Sequence, residues 1–147
     1  MRAWADEVYG DRRTDLSSML SYGQLVGDLP EIIACVAAAL DAGADAREIE
    51  TAAAGQRVHA QVRFQQGCLV DEVARELMIL RLVLTDFLWR EGVRAAEGDL
   101  RGLRDALRRV DLFVDELIAQ AIVTYAASSR PPLRTRAPQW PPPRRRR

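Results

Sequence analysis

From residue 100 onward the chain sets apolar side chains at alternating three- and four-residue steps: Leu100, Leu103, Leu107, Val110, Val114 and Leu117, then Ala121 and Thr124. Such steps bring side chains onto one stripe of an α-helix, and a stripe sustained over more than three heptads predicts one long helix. The pattern runs from about Glu97 to Ala127. About 30 helical residues reach about 45 Å, more than the diameter of a compact body of this size. The stripe is therefore either the core of a single chain or a seam between two. We expect the second: a homodimer whose interface includes Leu100, Leu103, Leu107, Val110, Val114 and Leu117 together with an N-terminal helix. Leu112, Phe113 and Ile118 widen the apolar face and leave room for a second partner.

The rest of the chain also reads as helix. Alanine, leucine, arginine and glutamate dominate it, and all are good helix formers. A short first helix is predicted over Ala3 to Tyr9, and a second over Thr14 to Val26 with Leu16, Met19, Leu20 and Val26 at helical spacing. Gly27-Asp28-Leu29-Pro30-Glu31 reads as a stop followed by a start, because proline and an acid both suit a helix's first turn. That third helix reaches Asp41 and ends at Gly43. Asp45 and Glu48 form a capping-box pair that opens a fourth helix running to Gln66, with Gly67 in the position that follows a helix end. A fifth helix runs from Leu69 to Gly92. It is apolar nearly all round between Leu77 and Trp89, which predicts a central helix. The expected fold is an all-α bundle of five or six helices over residues 1–128. After it, residues 129–147 are rich in proline and arginine and cannot build a core, so a disordered tail is expected; the leading reading is an incidental or truncated tail, and docking of Trp140 on a partner is the alternative.

Charge and cysteine usage exclude several classes. The formal net charge is zero, but seven arginines and no acid follow Ser129, leaving 14 arginines against 21 acids before it. An acidic body argues against a nucleic-acid-binding domain. Cys35 and Cys68 stand apart, with no CxxC and no histidine cluster, which fits a reducing cytoplasm rather than a disulfide or zinc scaffold. The first residues lack the apolar core of a signal peptide, and the run Leu77 to Leu84 is interrupted by Arg81 and too short to span a bilayer. No membrane partner is expected.

The polar residues with the most to say are those flanking Gly67-Cys68. His59 is the chain's single histidine, and Arg63 lies one turn after it; Glu72 and Glu76 are one turn apart on the next helix. If the two helices form an antiparallel hairpin, residues equidistant from the turn stand at one height. His59 then meets Glu76, and Arg63 meets Glu72. The leading reading is a hydrogen-bonded pair that sets hairpin register. In the alternatives His59 titrates or touches a small ligand, ligates haem, or accepts a phosphoryl group. Ala60 follows His59 where kinase dimerisation helices carry an acid, which disfavours the last. There is no GxSxG, Walker loop or HExxH, so no enzyme activity and no cofactor are expected.

Two segments of this hairpin resemble a known family. His59-Ala60-Gln61-Val62-Arg63-Phe64-Gln65-Gln66-Gly67 fits a His-Ala-x-x-Arg-x-x-x-Gly pattern, and Arg75-Glu76-Leu77-Met78-Ile79-Leu80-Arg81 fits Arg-Glu-x-x-x-Leu-Arg. Both are similar to the N-terminal domain of RsbT co-antagonist (RsbRD) proteins, which also precedes bacterial sensor histidine kinases. Leu29-Pro30-Glu31-Ile32 is similar too, and the resemblance covers about Asp15 to Tyr125. It implies a globin-like helical fold without haem, a dimer, and a cytoplasmic signal-input role in which output or regulatory signalling proteins are the partners. It also marks His59, Arg63, Glu76 and Arg81 as the family's polar motif positions. The resembled proteins continue into an output domain, whereas here the proline-arginine stretch follows the last helix. A stand-alone partner and a truncated sensor both fit that departure.

Overall fold

The computed structural model describes residues 1–41, 44–95 and 100–129. Every regular element among them is a helix: α1 (Arg2–Gly10), α2 (Leu16–Met19), α3 (Tyr22–Val26), α4 (Leu29–Asp41), α5 (Ala46–Ala54), α6 (Arg57–Gln65), α7 (Val70–Ala95) and α8 (Leu100–Ser128). The chain is an all-α bundle, as its periodicity predicts. The expected stop at Gly43, the start at Glu97 and the stretch from 130 onward lie outside the described residues.

Six expected helices become eight because two of them break. Residues 14–26 split at Leu20-Ser21, where the Ser21 side chain accepts the Gln24 backbone N–H and the Gln24 side chain accepts that of Ser21. This reciprocal cap opens a new helix at α3. Residues 45–66 split at Gly55-Gln56, the point of lowest helix propensity in that stretch. Their predicted start holds: Asp45 and Glu48 form the capping box of α5. Their predicted end holds as well. Gly67 has φ +84°, its N–H bonds the Phe64 carbonyl, and the Cys68 N–H bonds the Arg63 carbonyl. Those two bonds make a Schellman motif, which closes α6 and turns the chain into α7.

The central helix is α8, not α7. It packs against α7, α6, α5 and α4, while α1 lies along α7. Leu103, Val110, Phe113, Val114, Leu117, Ala121 and Tyr125 are all buried in the single chain, and Leu107 is half-buried. The stripe expected to face a second subunit is thus core, except for Leu100, which is exposed. The physical reason is demand for apolar area: α4, α5 and α6 are short, and the α8 stripe is long enough to cover the inner faces of all three at once. Conversely, α7 is not surrounded. Leu77, Ile79 and Leu80 are buried, but Leu82, Trp89 and Val93 are at least half exposed and Met78 more than a third. Gly92 does not end this helix, which continues to Ala95. A Cβ on Gly92 would stand 2.5 Å from Leu103 Cδ1, so the missing side chain admits α8 beside it.

One stretch, Tyr22–Leu40, is long and apolar enough to cross a membrane by length and composition. The turn at Gly27-Asp28 divides it into α3 and α4. Leu25, Leu29, Ile32, Val36 and Ala39 face the core, and Ala34, Ala37 and Ala38 face outward.

Candidate functional site

The polar residues of the hairpin meet inside the protein. Arg63 and Glu76 are both 0% exposed and His59 is 5% exposed. Arg63 reaches Glu76 in a two-pronged pair, Nε to Oε2 at 2.8 Å and Nη2 to Oε1 at 2.6 Å. Its remaining N–H groups go to the Leu25 carbonyl at 2.7 Å, the Gln24 carbonyl at 3.0 Å and Gln66 Oε1 at 3.0 Å. All five guanidinium donors are thereby used. Gln24 and Leu25 belong to the last turn of α3, whose carbonyls have no partner within their own helix. Arg63 therefore caps α3, anchors α7 and, from α6, joins the two.

The height rule predicted His59 with Glu76 and Arg63 with Glu72. The first pair is close: His59 Nε2 lies 3.8 Å from Glu76 Oε2. The second is displaced by one turn, since Arg63 pairs with Glu76. Helical side chains lean toward the N-terminus of their helix. Before the turn that lean carries Arg63 away from Gly67; after the turn it carries Glu76 toward Gly67, and the two meet. Glu72 leans the same way and finds the backbone of the turn instead. It accepts the Leu69 N–H at 2.8 Å and, from the start of α2, the Asp15 N–H at 2.9 Å.

Arg81 is not part of the cluster. It lies five residues after Glu76, about 140° around α7, and pairs with Asp115 of α8 at 2.6 Å on a partly exposed surface.

Sequence reasoning missed Asp28. It sits at the α3–α4 turn, where its backbone carbonyl accepts from Glu31 and Ile32 at the start of α4. Its carboxylate turns to His59, with Oδ2 2.5 Å from Nδ1. Oδ1 stands 3.8 Å from Arg63 Nη2. Burial alone would raise the Asp28 carboxyl, but the His59 hydrogen bond and the charges of His59 and Arg63 outweigh it and hold the group below the ordinary aspartate value. An ionised carboxylate only accepts, so His59 carries a proton on Nδ1. The Nε2 atom is buried without a hydrogen-bond partner among the described residues. Nearby, the Tyr125 hydroxyl donates to the Cys68 carbonyl at 2.8 Å. Burial, reinforced by Cys68 and Glu76, pushes its phenol up to about 12, and burial likewise raises the Cys68 thiol.

The Asp28 shift has a measurable consequence. A carboxyl held below its unfolded value contributes stability above that value and loses it as the pH falls through the folded one. Asp28→Ala also strands His59 Nδ1, so it is expected to cost about 1.5–3 kcal/mol at pH 6. The difference from the parent should shrink as the pH drops below the ordinary aspartate range near 3.9. Urea unfolding at pH 6 and pH 3 checks it; an equal difference at both pH values would mean that the carboxylate charge is irrelevant.

Two carboxylates, a guanidinium and an imidazole pair with one another between the α3–α4 turn, α6 and α7, and His59 Nε2 is left over. No group of three or more metal-ligating side chains occurs among the described residues. Comparison with known families is decisive about the kind of domain this is. The model of the RsbT co-antagonist protein RsbRD N-terminal domain matches residues 2–140. The chain belongs to this family. The match is wider than the hairpin resemblance on both sides, reaching from α1 past the end of α8. No curated protein and no solved structure matches the chain. An RsbRD N-terminal domain is a regulatory signalling domain; in this chain His59, Arg63 and Glu76 lie in the buried cluster and Arg81 stands outside it.

Proposed function

We propose that the chain is a non-enzymatic signal-input and dimerisation module of a bacterial stress-response or two-component pathway, acting in the cytoplasm by contact with output or regulatory signalling proteins. The observation that carries the reading is the face of α7 that the chain leaves uncovered. Met78, Leu82, Trp89 and Val93 are spaced four, seven and four residues apart, which puts them on one stripe. The spacing is the same read from either end. An antiparallel copy of α7 therefore sets Met78 against Val93 and Leu82 against Trp89, each twice, as a two-fold interface requires. Family membership and the burial of the polar cluster support the non-enzymatic part.

Sedimentation equilibrium at micromolar concentration is the test. A dimer is expected for the parent, and a monomer of unchanged helical signal for Leu82→Arg, because Leu82 is 61% exposed and touches little of its own core. A monomeric parent would defeat the dimer.

A ligand-sensing reading through His59 has one observation in its favour, the unpartnered Nε2. The near-complete burial of the ring weighs against haem and against phosphoryl transfer alike. Absence of a Soret band after adding haemin, and of acid-labile phosphate after a phosphodonor, is the expected result.

A further inference from the structure

The exposed stripe on α7 borders a hollow. Between the last turn of α1 and the middle of α7 lies a groove of about 500 Å³, and Leu82 of the stripe is part of its wall. The buried Ile79 and the half-buried Val83 give it an apolar base. Its rim is polar, with Glu7 and Asp86 exposed, one on each helix. Asp11 holds both arginines of the lining, Arg13 Nε at 3.1 Å and Arg75 Nε at 2.5 Å. At the α1 end stands Gly10, where an added Cβ would meet nothing within 4 Å.

This lining suits an amphipathic aromatic group. Three acids against two arginines leave it close to neutral, which favours neither an anion nor a cation. A large ring with one donor uses every part of it: the ring on Ile79, Leu82 and Val83, the donor on a rim carboxylate, and a guanidinium alongside the ring face. An indole has those properties, and a second copy brings one to the right height. Trp89 is 55% exposed. In the antiparallel pairing of two α7 stripes the partner's Trp89 stands level with Leu82. Helical side chains lean toward the N-terminus of their own helix. In an antiparallel pair that lean carries the partner's Trp89 one turn on, toward Asp86, just as it carries Arg63 to Glu76. Leu82 and Asp86 both belong to the groove wall.

We propose that each copy seats its Trp89 in the α1–α7 groove of the other, between Leu82 and Asp86, with the indole N–H toward the Asp86 carboxylate. The proposal rests on the α7 dimer put forward above and adds a specific anchor to it. The exchange is reciprocal, so a single contact occurs twice, as two-fold symmetry demands. It also brings α1 into the interface.

Filling the groove from its own side tests the seat apart from the dimer. Gly10 lies off the α7 stripe, so Gly10→Phe occupies the groove and leaves Leu82 and Trp89 in place. Dissociation constants from sedimentation equilibrium over a concentration series are the readout. Trp89→Ala should raise the constant about thirtyfold, the effect of removing an aromatic anchor. Gly10→Phe should raise it about tenfold, and Gly10→Ala, too short to fill the groove, should leave it at the parent's value. Gly10→Phe added to Trp89→Ala should cost nothing further, because no ring is left to displace. Circular dichroism should show equal helical content throughout. A dimer indifferent to Gly10→Phe, or weakened by the same factor with and without Trp89, would overturn the seat and leave the α7 dimer standing. A monomeric parent would overturn both.

Discussion

Replacing Glu76 with alanine is expected to remove about 3–5 kcal/mol of stability, the usual cost of stranding a buried charge. For a small domain that is a third to a half of the total. The size follows from geometry: Arg63 and Glu76 are both fully buried and joined by two hydrogen bonds, so no water stands ready to take the carboxylate's place. The double change Arg63→Met with Glu76→Leu should recover part of the loss, because two apolar side chains of similar volume need no mutual charge. It should not recover all of it. The carbonyls of Gln24 and Leu25 would lose their cap, and α3 would fray. Urea unfolding at neutral pH measures both variants. A loss under about 1 kcal/mol for Glu76→Ala would show that the pair is not a stabilising link between α6 and α7.

Val114→Arg is expected to prevent folding altogether. Val114 is 0% exposed and sits in the middle of α8, against the helices that α8 gathers. An arginine there would have to bury an unpaired guanidinium or force the bundle apart, at a cost of several kcal/mol. Two residues away Leu112 is 39% exposed, and Leu112→Arg should change stability by no more than about 0.5 kcal/mol, as surface substitutions do. Circular dichroism and thermal melting distinguish the pair. If Val114→Arg kept its helical signal and altered only the sedimenting mass, the α8 stripe would be an intersubunit seam after all. The contrast with Leu82→Arg on α7 then locates any dimer interface on one helix or the other.

Much of this architecture is local and was legible. Capping at Asp45 and Glu48, the left-handed Gly67 and the helical spacing of the long last segment are set by residues within a turn of one another. The Ser21-Gln24 cap that divides residues 14–26 is equally local, a Ser-x-x-Gln pattern, but Leu16, Met19, Leu20 and Val26 keep helical spacing across it and mask the break. The candidate site was half legible. His59, Arg63 and Glu76 could be placed together from their distances to the turn. Asp28 could not, because it is 31 residues from His59 and its local context speaks only of a helix start.

By itself, then, the sequence determined that the chain is helical, where most helices begin and end, and that a polar cluster spans the α6–α7 hairpin. Tertiary structure alone decided which stripe is core and which is surface. The α8 stripe and the α7 stripe have much the same periodicity, and periodicity says only that a face is apolar, not what covers it. The short helices α4 to α6 and α7 gather on α8 and bury its face; α8 and α1 cover α7 on part of its circumference and leave the Met78-Leu82-Trp89-Val93 stripe to solvent. Tertiary structure also chose the partner of Arg63, since the opposed lean of side chains on antiparallel helices moves a pairing by one turn without changing any residue.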